Sequence, residues 1–137
     1  MSVEPAGIDR RNGFAAVPFT RLLGVQRELS HGGRSRFVLD MRPELENMVQ
    51  ATHGGVIATL LDVAMASAAV SKVDFEMIVV TLSMNTSFLH PGRGRLTAEG
   101  EVLAVDAGIA TCSARIVDDG GRLVAQAQGS FRYLPHR

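Results

Sequence analysis

The amino-acid sequence predicts an α+β domain in which one long central helix is wrapped by a curved antiparallel sheet, and three observations predict it. From Val56 to about Lys72, apolar residues cover nearly the whole circumference of a helix, which marks a helix buried on all sides. From Ile78 onward the apolar period changes to two, and four runs separated by Pro91-Gly92, Asp106-Ala107-Gly108 and Asp118-Asp119-Gly120-Gly121 read as strands. Many inward-facing candidates on those strands are small (Ala98, Gly100, Ala110, Ala114, Ala125, Ala127, Gly129), which lets a sheet approach and curl around a helix.

The elements follow in chain order. Residues 1–13 mix charges with Pro and Gly and read as a loosely ordered arm. Pro18 to Leu23 reads as one or two helical turns stopped by Gly24 and packed as a cap on the core. Two extended runs, Val25 to Ser30 and Arg36 to Met41, form a hairpin through His31-Gly32-Gly33, where paired glycines accept the positive φ that tight turns require. Arg42 to Thr52 contains Pro43 and no clear period, so it is a loop leading into the helix. The helix then runs roughly 25 Å at 1.5 Å per residue, long enough to be the centre of the domain. In the strand after it, Ile78, Val80, Leu82, Met84 and Phe88 alternate with Val79, Thr81, Ser83, Asn85 and Ser87, which predicts one apolar face and one uncharged polar face. The remaining runs, about Arg95 to Val105, Ile109 to Val117 and Arg122 to Tyr133, continue as an antiparallel meander.

A length of 137 residues fits one domain spanning 1–137, and the formal net charge of zero offers no electrostatic footprint for nucleic acid or an acidic membrane surface. The N-terminal segment lacks the apolar core of a signal peptide. Asp62 and the Gly54-Gly55 pair interrupt the longest uncharged run as a membrane span, so the expected location is cytoplasmic. Cys112 stands alone and alternates with polar neighbours, which predicts a small core residue; neither a disulfide nor a metal-ligand spacing is present.

The chemistry is expected at the helix. Asp62 is its one carboxylate, and the positions that neighbour it on a helical surface, Ala58, Thr59, Met65 and Ala66, include no Lys or Arg. Burying an unpaired charge is expensive. His53-Gly54-Gly55 falls where the helix begins, and free backbone N–H groups at a helix N-terminus suit a negative or developing negative oxygen. A carboxylate and an oxyanion site together point to acyl chemistry. The bland alternatives remain open: an ion pair of Asp62 with Arg115 or Arg132, a purely local hydrogen bond for His53, an ordinary loop role for Asn47, and close helix packing as the reason for Gly54 and Gly55.

Asn47, His53-Gly54-Gly55, Leu61-Asp62-Val63-Ala64 and Met84-Asn85-Thr86-Ser87-Phe88-Leu89 with Pro91, in this order and after the PFTRLLG turn, resemble the hotdog-fold acyl-CoA thioesterases of the 4-hydroxybenzoyl-CoA and phenylacetate-degradation branch. The resemblance covers nearly the whole chain. It implies an acyl-CoA thioesterase with Asp62 as nucleophile or general base, and the Gly54 backbone N–H polarising the thioester carbonyl. It further implies that Asn47 holds the attacking water or the thioester, that His53 shapes the oxyanion site, and that Thr81 assists the acid. Arg93 and Arg95 are candidates for the phosphates of coenzyme A, which is part of the substrate; no separate cofactor and no metal are expected.

Asp62 and Gly54 lie eight residues apart, about 12 Å along one helix, too far for one small carbonyl to touch both. If both act, they come from different subunits of a homodimer across a two-fold axis, with a homotetramer as a further possibility. Two other functions share the fold: a non-catalytic acyl-CoA-binding or regulatory module, and an enoyl-thioester hydratase or dehydratase. The lone acid argues against the first, and the spacing of His53 from Asp62 against the second.

Overall fold

A computed structural model describes residues 13–136. The expected N-terminal arm lies outside the described residues except for Gly13, which instead opens a short helix, α1 (Gly13–Ala16). Helix α2 (Pro18–Leu23) follows. Proline at its first position supplies a preset φ, and Gly24 ends it at φ 85°. The buried Thr20 hydroxyl donates to the carbonyls of Val17 and Phe14, tying the two short helices together, while the Arg42 guanidinium donates to the Leu22 and Leu23 carbonyls at the end of α2.

Strands β1 (Gln26–His31) and β2 (Arg34–Asp40) form the expected hairpin, with Gly32 and Gly33 at φ 58° and 91°. A 3₁₀ turn at Pro43–Leu45 sits inside the predicted loop. The central helix α3 (Gly54–Lys72) starts at the glycine pair itself, two residues before the apolar pattern. It is open to solvent only at Gly54, Gly55, Ala58, Thr59, Asp62 and Lys72. These fall mainly on one stripe running from the N-terminus to Asp62. Every other position packs inside the sheet, with Leu60, Leu61 and Met65 meeting Phe37, Leu39, Leu96, Ile116 and Phe131 in the core. This helix is long and apolar enough to cross a membrane, but here it is the core of the fold.

The sheet is completed by β3 (Met77–Phe88), β4 (Arg95–Asp106), β5 (Ile109–Val117) and β6 (Leu123–Pro135), in the order β1-β2-β4-β5-β6-β3, antiparallel throughout. Strands β4, β5 and β6 form the predicted meander, but β3 does not precede β4 in it. It pairs with β6 and becomes the far edge. Residues 89–94 carry the chain across the end of the sheet, three strand spacings or about 14 Å, within the roughly 20 Å that six extended residues span.

The small inward residues do what their size permits. Ala98, Ala110, Ala114, Ala125 and Ala127 are all buried, and a Cβ added to Gly100 would collide with the Ala64 carbonyl oxygen of α3. Beside that closest approach the Ser35 hydroxyl donates to the same carbonyl at 2.5 Å, and Ser30 and Ser67 hydroxyls pair at 2.6 Å, so these hydroxyls between helix and sheet are satisfied, whereas the buried Thr86 hydroxyl has no partner among the described residues. Cys112 is fully buried, and burial pushes its thiol up to about 12, in keeping with a packing role.

Strand β3 departs from the expected two-faced pattern. Thr81 pairs with Phe131 and Ser83 with Ser130, so Leu82 is an extra residue at a β-bulge. A one-residue slip flips every later side chain to the other face. Before the bulge Met77, Val79 and Thr81 face the helix; after it Met84, Thr86 and Phe88 do. The outward residues include Ile78, Val80 and Leu82, 37%, 42% and 49% exposed, so the predicted apolar face is split and half of it lies bare on an edge strand.

Candidate active site

His53 is the N-cap of α3, with φ −57° and ψ 139°. Its Nδ1 accepts the Gly55 N–H at 2.8 Å, which places the ring proton of the neutral imidazole on Nε2. Its carbonyl accepts from Val56 at 2.9 Å and Ile57 at 3.1 Å, and its own N–H is held by the Leu45 carbonyl at 2.8 Å. Among the described residues, the Gly54 N–H alone in this turn has no acceptor. The cap therefore reduces the four orphan donors of a helix start to a single free amide at the positive end of the α3 dipole.

Asp62 lies two turns further along the open stripe, half-buried. The Thr81 hydroxyl donates to its Oδ1 at 2.7 Å from the helix-facing side of β3. Burial raises its carboxyl above the ordinary Asp range, and the Thr81 hydrogen bond opposes that shift. Neither candidate arginine pairs with it: Arg115 and Arg132 are exposed on the outer face of the sheet, and no ion pair to Asp62 forms among the described residues. A carboxyl raised by burial and held by a single hydroxyl donor is a suitable base or nucleophile.

The other predicted residues sort into two groups. Asn47 is a loop former: its side-chain oxygen accepts the N–H groups of Val49 at 3.0 Å and Ala51 at 3.1 Å, closing the turn that leads into His53. Arg93 donates to the Val49 carbonyl at 3.2 Å and so ties that turn to the segment after β3. Arg95 is engaged elsewhere. Its Nε and terminal nitrogen meet Asp40 at 2.9 and 3.2 Å, and the hydrogen bond from Arg95 holds the Asp40 carboxyl below its usual range.

Phe88 is the neighbour of the site that the sequence reading did not place there, because strand alternation set it on the opposite face from Thr81. A Cβ built on Gly54 would lie 3.6 Å from Phe88 Cε1, so the ring stands beside the residue that carries the free amide. The signal that could have found it is the bulge at Leu82, since only the extra residue puts Thr81 and Phe88, seven positions apart, on one face. The fold thus brings together Asp62 with Thr81, and His53 with Gly54 and Phe88. The two groups remain about 12 Å apart on one helix.

Residues 50–125 match the thioesterase superfamily. A Halobacterium salinarum protein that carries an esterase name is 31% identical over 121 residues, 80% of each chain. Among solved structures, a thioesterase family protein of Silicibacter pomeroyi is 25% identical with a TM-score of 0.85, covering 93% of this chain and 96% of that one. The PaaI protein of the Escherichia coli phenylacetic acid degradation operon aligns with a TM-score of 0.81 over 88% of this chain and 87% of that one. At 23% identity, PaaI shares the hotdog fold and carries no more than that.

Proposed function

The chain belongs to the thioesterase superfamily, a family of thioester hydrolases, and from that premise we propose that it hydrolyses an acyl-CoA thioester to the free acid and coenzyme A. The observation that carries this is the single free amide at Gly54. The thioester oxygen accepts from that N–H, and negative charge developing on it is met by a fixed donor and the helix dipole. His53 acts as a positioning residue, because by occupying the Gly55 N–H it determines which amide is free.

Asp62 attacks the carbonyl carbon directly or removes a proton from the attacking water. Either way the carbon–sulfur bond breaks, coenzyme A leaves as the thiol, and one water is consumed. Thr81 holds the carboxylate and favours its charged form. The roughly 12 Å between Gly54 and Asp62 is bridged by a two-fold axis that sets Gly54 of one protomer against the acid of a second copy. Support for a homodimer comes from β3, an edge strand whose ladder groups and outward Ile78, Val80 and Leu82 lie unpaired beside the open stripe of α3. Arg93 is better disposed than Arg95 to meet a phosphate of coenzyme A, because Arg95 is already held by Asp40.

The test is free-thiol release from short, medium, long and aromatic acyl-CoAs by the purified protein and by Asp62→Ala. Turnover of at least one substrate and its loss in the variant are expected. Equilibrium binding of acyl-CoA without turnover would point instead to a binding module, and unchanged turnover in Asp62→Ala would remove the acid from the mechanism.

A further inference from the structure

Phenylalanine is normally a buried residue, yet Phe88 is 58% exposed while its ring edge touches the position above the Gly54 Cα. A carbonyl oxygen that accepts from the Gly54 N–H at about 2.9 Å brings its carbon, and the first atoms beyond it, into the neighbourhood of this ring. The ring is not alone. Met48, Val49 and Leu89 are also exposed, at 102%, 63% and 44%, on the loop before α3 and the segment after β3. Those two segments are fastened to each other by the Gly92 carbonyl, which accepts the Thr52 N–H at 2.8 Å and the Thr52 hydroxyl at 3.0 Å, and by Arg93 on the Val49 carbonyl. The ring beside Gly54 therefore presents apolar surface and no hydrogen-bonding group.

From this we propose that Phe88 is the specificity-determining residue of the site and that it selects an uncharged apolar acyl group, alkyl or aryl, an inference that rests on thioester hydrolysis at Gly54. Two groups leave a bound thioester carbon. The pantetheine arm carries two amides, and laid on Phe88 it would strand their donors and acceptors against apolar atoms. An alkyl or aryl acyl chain has nothing to strand and removes the bare ring from water. An acyl group whose carboxylate would lie on the ring is disfavoured, because the ring offers that charge no partner.

The experiment compares wild type, Phe88→Ala and Phe88→Leu on acetyl-, hexanoyl-, benzoyl- and succinyl-CoA. In wild type, hexanoyl- or benzoyl-CoA is preferred to succinyl-CoA. Phe88→Ala lowers kcat/KM for the preferred substrate by about tenfold or more, mainly through KM, with a several-fold smaller loss on acetyl-CoA, and Phe88→Leu restores most of it. Equal losses on acetyl and hexanoyl, no loss, or a wild-type preference for succinyl overturns the proposal. Calorimetric binding of the non-hydrolysable thioether hexyl-CoA, with thermal unfolding as a folding control, separates the two levels. A wild type that binds it but turns nothing over counts against hydrolysis, while weaker binding to Phe88→Ala still supports Phe88; equal binding to both overturns its role.

Discussion

The Thr81 hydroxyl reaches from the edge strand to the core helix and donates a 2.7 Å hydrogen bond to Oδ1 of Asp62, the only side-chain partner that carboxylate has among the described residues. It joins a residue on one free edge of the sheet to the one acid of an otherwise apolar helix. Its effect on Asp62 runs against burial: desolvation raises the carboxyl pKa, and the hydroxyl lowers it by favouring the charged form.

Removing the donor therefore has a signed consequence. In Thr81→Val the Asp62 pKa rises further, the active carboxylate form is lost at a higher pH, and the acid limb of kcat/KM shifts toward neutrality. On that limb the loss is about tenfold, the scale of one hydrogen bond to a charged group, and it shrinks at alkaline pH. Thr81→Ser keeps the donor and the wild-type profile. A pH–rate series for the three proteins decides, and an acid limb that does not move in Thr81→Val removes Thr81 from the mechanism.

Asp62→Asn separates stability from activity. A carboxyl whose pKa is higher folded than unfolded contributes stability that is present below its unfolded pKa and lost as pH rises through the folded pKa, so the charged form opposes folding at neutral pH. Asparagine keeps an oxygen for Thr81 and carries no charge. The variant is expected to unfold at a higher temperature than wild type at pH 7–8, with the gap closing as the pH falls toward the ordinary Asp range, while kcat drops about 10²- to 10⁴-fold. Melting curves across pH that show no such convergence would contradict the assignment.

Gly54 can be tested at its backbone. It is the first residue of α3, a position that tolerates proline, and the preceding His53, at φ −57° and ψ 139°, already has the extended geometry that proline requires of its predecessor. The Gly54 N–H has no acceptor to lose. Gly54→Pro should thus fold with nearly wild-type stability yet lose about 10²- to 10³-fold in kcat, the scale of one oxyanion donor. Gly54→Ala keeps the N–H, and its Cβ meets only Phe88 at an ordinary 3.6 Å, so it should retain activity within about tenfold. Calorimetry and turnover of the pair measure both halves.

The fold was legible in the sequence where one physical constraint acts over many residues. Apolarity all round predicts α3 because a helix enclosed by a sheet has almost no wet side, and small residues such as Gly100 predict the close approach because a Cβ there has nowhere to go. It was not legible where a single residue decides. The bulge at Leu82 leaves the sequence a plausible uninterrupted alternation while turning the outer half of β3 over, and the pairing of β3 with β6 depends on a crossing loop that Pro91 and Gly92 mark only as a break. For the site, Asp62 and Gly54 stand out by type and position, because a lone acid and a glycine pair are anomalies in their surroundings. Asn47 and Arg95 do not: Asn47 closes a local turn on the Val49 and Ala51 amides, a role nothing in its residue type reserves to it, and Arg95 pairs with Asp40, a partner far away in the sequence.

The separation of Asp62 from Gly54 makes the two-subunit site testable by mixing. If each site takes its amide from one chain and its acid from the other, Asp62→Ala and Gly54→Pro homodimers are both inactive at every site. A heterodimer of the two contains one site with both groups intact and one with neither. Random reassociation makes about half of the dimers heterodimers, so an equal mixture recovers about a quarter of wild-type activity from two nearly inactive proteins. If both groups act within one chain, every site in the mixture lacks one of them and nothing is recovered. Co-refolding from denaturant, followed by turnover of the preferred acyl-CoA and a sedimentation check for dimers, distinguishes these outcomes. Recovery near zero in a mixture that has formed dimers would mean that Asp62 does not serve the Gly54 amide of its partner.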